Sequence, residues 1–352
     1  MNVTLVEMQR TTYLIIGVTM NTRKSALFIL VLCFILACQL PAGLTPPPAT
    51  LTPSATATLT LTSTPTLTPT LTLTPTPAPL ARRVLILSID GFRPDAIPLA
   101  PMPNLMELMK HAAYTLSAQT IYPSSTLPAH TSMLSGLCPQ KHGVNWNDYM
   151  PENGYAQVTD IFDIAHAAGM QTVMYVGKEK LRQITEPAST DIFEYINDRD
   201  LVITEKLIEN FPANFRLMFI HFSTADAMGH VYGWLSGEQL SVLYRADQAI
   251  ANLLAELDAR GLREETLFIV TADHGGHSTT HGSSMPEDMT IPWIATGAGV
   301  QPIQLTGQVQ TVDTAATAAF ALGLPIPLEW DGVPIYEACR LPIEKQSQTC
   351  PK

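Results

Sequence analysis

Beyond residue 80 the chain alternates short apolar runs, at 83–89, 172–176, 216–222, 267–271 and 292–296, with segments whose apolar residues recur at three and four residue steps. The runs have the length of buried strands; the intervening period is that of helices lying on a sheet. Helices are predicted at 103–113, 128–135, 159–168, 200–210, 237–260 and 313–322. The longest carries Leu240, Leu243, Ala246, Ile250, Leu253, Leu254 and Leu257 on one face. Such alternation predicts an α/β fold: a mostly parallel central sheet flanked by helices on both faces.

The first 80 residues follow no such pattern. Arg23 and Lys24 precede an apolar run, Ala26 to Ala37, that ends at Cys38. The run is shorter than the about 20 residues a membrane helix needs and suits a signal-peptide core. Ile35-Leu36-Ala37-Cys38 resembles a bacterial lipobox, whose cysteine is lipidated after cleavage. The chain is therefore divided into a leader (1–38), a linker (39–80), a catalytic domain (81–340) and a tail (341–352). The linker is almost entirely Thr, Pro, Leu, Ala and Ser. Repeated proline and the lack of an amphipathic period make it an extended stalk. The expected location is extracytoplasmic, with a lipid anchor as the contact with the membrane.

Of 352 residues, 31 are acidic and 20 basic, a formal charge of −11, which argues against a groove for nucleic-acid polymers. Cys138, Cys339 and Cys350 lie beyond the leader. Cys339 and Cys350 flank a short polar segment and are the expected pair if a disulfide forms, with Cys138 packed as a thiol.

Candidate chemistry gathers where strands end. Asp90-Gly91 closes the first run and Asp273-His274-Gly275 the fourth; Asp226 and His230 are one helical turn apart; His281 follows in Thr-His-Gly. An aspartate after a strand commonly caps a turn. Several such ends together, in a fold that collects functional groups at the carboxyl ends of its strands, point instead to a metal centre. The residues divide into Asp90, Asp273 and His274 for one divalent ion and Asp226, His230 and His281 for a second, with His277 competing with His281. These are oxygen and imidazole donors suited to zinc. Thr126 stands just before a predicted helix start, where backbone N–H groups favour an anion. As a plain helix cap it competes with Ser124 and Ser125.

The segments IDGFRPD, YPSSTLPAHTSMLSGLCPQKHGVNWN, ADAMGH and ADHGG resemble the type I phosphodiesterase/nucleotide pyrophosphatase family of the alkaline phosphatase superfamily. The resemblance extends over about 83 to 335. It implies an alkaline-phosphatase-like fold, two divalent metal ions, expected to be Zn2+, and Thr126 as nucleophile and metal contact. It also implies Asn147 as the phosphate-contacting asparagine, with Asn145 as the substitute. A small phosphodiester or nucleotide-type substrate would pass through a phospho-threonine intermediate. Two features depart from the pattern: Thr224-Ala225 replace the frequent Glu-Pro before Asp226, and the usual long insertion before the last histidine is missing, which leaves that role to His281. Tyr149, Tyr155 and Tyr175 are the aromatic candidates for a base platform. A phosphomonoesterase on the same site and a tethered surface binding protein are the alternative functions. The CxPxR-type nucleophile of sulfatases is absent.

Overall fold

The computed structural model describes residues 79–351 apart from 340, 343 and 344. The leader, Cys38 and nearly all of the Thr/Pro linker lie outside the described residues.

Eight strands form one mixed sheet: β1 (Arg83–Ile89), β2 (Ala113–Gln119), β3 (Gln171–Val176), β4 (Ile192–Tyr195), β5 (Phe215–Phe222), β6 (Thr266–Thr271), β7 (Thr290–Gly297) and β8 (Ile303–Gln304), in the spatial order β4-β3-β5-β1-β6-β7-β2-β8. The first five in that order run parallel. β7 is antiparallel to both β6 and β2. β1 is central and buried along its whole length. That is why it reads as an unbroken apolar run: covered on both faces, it has no solvent side to mark with polar residues.

The helices are α1 (Ala96–Leu99), α2 (Pro103–Met109), α3 (Thr126–Ser135), α4 (Pro139–His142), α5 (Ile161–Ala167), α6 (Asp200–Glu209), α7 (Thr224–Tyr232), α8 (Gly237–Ala259), α9 (Pro286–Met289) and α10 (Asp313–Leu322). They pack in two groups, α1, α2, α6 and α7 around α8, and α3, α5 and α10 with one another. Ser236 caps α8 by accepting from Gln239 N, and its buried stripe of Leu243, Ala246, Ile250, Leu253 and Leu257 follows the predicted face.

Two expectations need correction. The helix predicted over 103–113 ends at Met109, because Ala113 already opens β2. β2 escaped the sequence pattern since its polar residues interrupt any apolar run and it lies near the sheet edge, partly exposed. The disulfide joins Cys138 to Cys350, with Cα atoms 5.5 Å apart, and Cys339 is the free thiol. Closeness in sequence was the wrong guide: the tail folds back so that Gln140 Nε2 donates to Pro351 O, which brings Cys350 to the start of α4. No helix among the described residues is long and apolar enough to cross a membrane.

Candidate metal centre and nucleophile

Asp90 follows β1, Asp226 and His230 lie on α7 after β5, and Asp273 and His274 follow β6. Because β5, β1 and β6 are adjacent and parallel, their carboxyl ends deliver these side chains to one place. Gly91, at φ +71°, lets the chain turn immediately after Asp90. Gly275 and Gly276 keep the loop after His274 tight. A Cβ on the first would collide with Glu287 O, and one on the second with the indole of Trp234.

Two groups of donors are close enough to share an ion: Asp226, His230 and His281, and Asp90, Asp226 and His274. Asp226 stands in both. Asp273 Oδ2 lies 3.3 Å from His274 Nε2, beside the second group. Its Oδ1 is held by the backbone N–H groups of Gly91 and His274, at 3.1 and 3.0 Å. His277 is directed elsewhere, with Nδ1 2.7 Å from Asp288 Oδ1.

The histidines share an orientation. Nδ1 of His230 faces Thr279 O, Nδ1 of His274 faces Gly275 O and Nδ1 of His281 faces Ser124 O, at 3.0, 2.8 and 2.8 Å. A carbonyl oxygen only accepts, so each Nδ1 carries its hydrogen. In the neutral tautomer this fixes, Nε2 turns its lone pair toward the carboxylates. The rings of His274 and His281 are stacked, with centroids 3.8 Å apart.

The donor set fits divalent cations. Asp90 Oδ1, Asp226 Oδ1 and Asp273 Oδ2 are buried oxygens without any hydrogen-bond donor. Asp226 Oδ1 faces Nε2 of His230 at 3.4 Å and of His281 at 3.7 Å; Asp90 Oδ1 faces Nε2 of His274 at 3.4 Å. Lone pairs opposed to lone pairs in a buried site cost free energy that a cation between them removes. Burial and the charge of Asp90 push the Asp273 carboxyl well above its usual range, while burial lowers His274 to about 4.

One cation is built in. Lys178 Nζ lies 2.6 Å from both Asp90 Oδ2 and Asp226 Oδ2 and 3.4 Å from Thr126 Oγ1. Burial alone would lower its pKa, but Asp90 and Asp226 outweigh it and the ammonium is held protonated above the usual lysine range. One ammonium against the Asp90 and Asp226 carboxylates alone already leaves negative charge uncompensated.

Thr126 is the first residue of α3, fully buried, with Oγ1 3.4 Å from His274 Nε2. Ser124 Oγ donates to Ser283 O, and Ser125 occupies the cap position without a side-chain cap bond. Asn147 is brought to α3, its Oδ1 accepting from Leu127 N at 2.9 Å and from Lys180 Nζ at 3.0 Å. Asn145 is exposed. Of the tyrosines, Tyr175 is buried in β3, whereas Tyr149 is exposed and Tyr155 half-buried.

Several contributing residues escaped sequence inspection. His221 and His130 back the site from inside the fold: His221 Nε2 meets Asp90 Oδ2 at 3.0 Å, and His130 bridges Thr126 O and Ser88 Oγ, both at 2.8 Å. Trp234 donates from Nε1 to Gly91 O and packs edge-on against His230. Lys178 and Lys180 follow β3, so the rule that drew attention to strand ends would have found them had basic residues been admitted beside acidic ones.

Residues 84–166 and 172–291 match the model of the type I phosphodiesterase / nucleotide pyrophosphatase family. The chain belongs to this family. Among curated members and relatives it is 29% identical over 217 residues to a bis(5'-adenosyl)-triphosphatase of Xenopus laevis, covering 55% of this chain and 47% of that protein. It is also 29% identical over 278 residues to the human GPI ethanolamine phosphate transferase 2 catalytic subunit, covering 71% of this chain and 27% of that one. The chain thus spans less than half the length of either. Murine ectonucleotide pyrophosphatase / phosphodiesterase 5, solved as an inactive variant with AMP, superposes with a TM-score of 0.63 at 16% identity, covering 73% of this chain and 98% of that one. A 2-O glycosaminoglycan sulfatase gives 0.62 at 14% identity, covering 76% of each. These likenesses establish the alkaline-phosphatase-like α/β fold that the family shares.

Proposed function

We propose that this family member hydrolyses phosphodiester or pyrophosphate bonds of small nucleotide-type substrates through a phospho-threonine intermediate on Thr126. The observation that carries this is the placement of Thr126 Oγ1 at a helix start, 3.4 Å from His274 Nε2, against a donor cluster that one ammonium does not neutralise. Family membership and the relatives' activities on phosphate esters support it.

Asp226, His230 and His281 would hold one divalent cation, and Asp90, Asp273 and His274, with Asp226 shared, the other; the imidazole and carboxylate donors suit zinc. Bound there, such ions supply Lewis-acid polarisation of phosphoryl oxygens and favour the alkoxide form of a nearby hydroxyl.

The chain's own residues do the rest. Thr126 Oγ attacks phosphorus in line, forming the Oγ–P bond while the bond to the leaving oxygen breaks and the hydroxyl proton passes to solvent. A water then attacks the same phosphorus and the P–Oγ bond breaks, which releases the phosphate product and restores the threonine hydroxyl. The amino terminus of α3 and the Asn147 amide, which adjoin Thr126, would meet the charge that builds on the equatorial oxygens. Lys178, held protonated, offers a third positive group at the nucleophile and is unsuited to act as its base.

The test is hydrolysis of bis-p-nitrophenyl phosphate, the p-nitrophenyl ester of thymidine monophosphate and p-nitrophenyl phosphate, with metal content measured on the same protein. Diesters are expected to be favoured. A preference for the monoester would replace the diester assignment with a phosphomonoesterase, and a metal-loaded protein inert toward all three would overturn the enzymatic proposal. Tethering through Cys38 is part of the same proposal, and Cys38→Ala should release the protein from the membrane fraction.

A further inference from the structure

The two donor groups of the centre are supported differently. Asp90, Asp273 and His274 are fully buried and directly follow β1 and β6, so the sheet itself holds them. His230 is exposed near the end of α7, and His281 is half-buried in the loop 277–283. Both of these imidazoles depend on that loop. It carries His281, and its Thr279 O receives Nδ1 of His230 at 3.0 Å.

The loop is folded on itself by two backbone hydrogen bonds between His277 and Thr280, both 2.9 Å. Between them Ser278 takes φ +47°, a conformation that a residue with a Cβ keeps only where its surroundings impose it. Trp234 N helps by donating to Ser278 O at 2.8 Å. The two ends of the loop, however, are tied by one side chain. Asp288 on α9 is 0% exposed; its Oδ1 lies 2.7 Å from His277 Nδ1, and its Oδ2 accepts from Ser283 N at 2.8 Å. The tie is itself anchored, since Asp288 O accepts from Gly275 N at 2.8 Å and the neighbouring Met289 O from Thr120 N at 2.9 Å.

We propose that Asp288 is a positioning residue for the ion held by Asp226, His230 and His281: by receiving His277 at one end of the loop and Ser283 at the other, it fixes the shape in which the loop presents His281 Nε2 and Thr279 O. It rests on the two-ion reading of the centre and not on the reaction. Loss of the tie therefore loosens two imidazoles of one ion at once, while Asp90, Asp273 and His274 keep the support of their strands.

Zinc titration of the whole chain by chelator competition tests this. Two ions are expected in the wild type. Asp288→Ala should weaken one of them about 10–100-fold and leave the other nearly unchanged. Asp288→Asn keeps the shape of the side chain but accepts at one oxygen only, so it should restore part of the loss. His277→Ala removes a half-buried partner without touching α9, and should weaken the same ion even if the buried variants fail to fold. In a His281→Ala background, which already lacks that ion, Asp288→Ala should change the remaining affinity by less than about twofold, because the two residues act on one site. Equal weakening of both ions, or of neither, would overturn the role of Asp288 while the metal centre stands. A wild-type chain that binds no zinc would overturn both.

Discussion

His221 donates its Nε2–H to Asp90 Oδ2 at 3.0 Å, because its Nδ1 already accepts from Gly177 N at 3.3 Å and so cannot carry the hydrogen. Burial depresses the imidazole pKa, so it serves as a neutral donor inside the sheet. It leaves Asp90 Oδ1 as the oxygen turned toward His274. Partners of this kind behind a metal-binding carboxylate are generally worth about 10–100-fold in metal affinity. His221→Phe should keep the fold and weaken zinc binding by about that factor, measured by competition with a chromophoric chelator.

Asp226 is the carboxylate common to both donor groups, whereas His281 belongs to one. Asp226→Asn is therefore expected to lower the bound metal by more than one ion per chain, and His281→Ala by about one. Elemental analysis after dialysis against a weak chelator reads both. Identical stoichiometries in the two variants would contradict the sharing.

Thr126→Ala should lower kcat by about three orders of magnitude or more while the melting temperature stays near wild type, since a covalent route is lost and only binding and electrostatic contributions remain. Thr126→Ser keeps a hydroxyl and should retain measurable turnover. Rapid acid quench with a labelled substrate should trap phosphate on the wild-type protein and not on the alanine variant.

His142 gives the fold an acid-sensitive point away from the metal cluster. Its Nδ1 accepts from Val144 N at 3.1 Å and its Nε2 meets Ser132 Oγ at 3.0 Å, an arrangement for the neutral ring. Burial lowers its pKa to about 4. The unfolded chain, near pKa 6.5, binds the proton first as pH falls. The stability this neutral ring contributes is therefore complete above about 6.5 and lost progressively down to about 4, a loss of at most roughly 3 kcal/mol. Melting temperatures between pH 4 and 7 should fall less steeply for His142→Gln than for wild type.

The Cys138–Cys350 bridge closes a loop of 212 residues and fixes the tail at the start of α4, in the segment leading to Asn147. Native disulfides typically contribute about 2–5 kcal/mol. Cys350→Ser is expected to lower denaturation free energy within that range, and Cys339→Ser to change it little.

Strands β1, β5 and β6 could be read from the sequence because they are covered on both faces, which forces long apolar runs, and the residues just beyond them carried the candidate ligands. The helical face of α8 was legible because apolar periodicity is the direct imprint of burial on one side, whereas α10 is buried almost all round. Edge strands β4 and β8 left no such imprint, being short and partly exposed.

What the sequence determined by itself was the set of strand-end chemistries: aspartates, histidines and a threonine, each locally marked by the apolar run or helix start beside it. Only the tertiary structure decided how they are used. It placed Asp226 between two groups, turned His281 inward and His277 toward Asp288, set Lys178 between two carboxylates, and joined Cys138 to a cysteine at the other end of the domain. Those outcomes depend on which strands become neighbours and how the chain returns across them, and nearness in space of that kind leaves no trace in nearness along the chain.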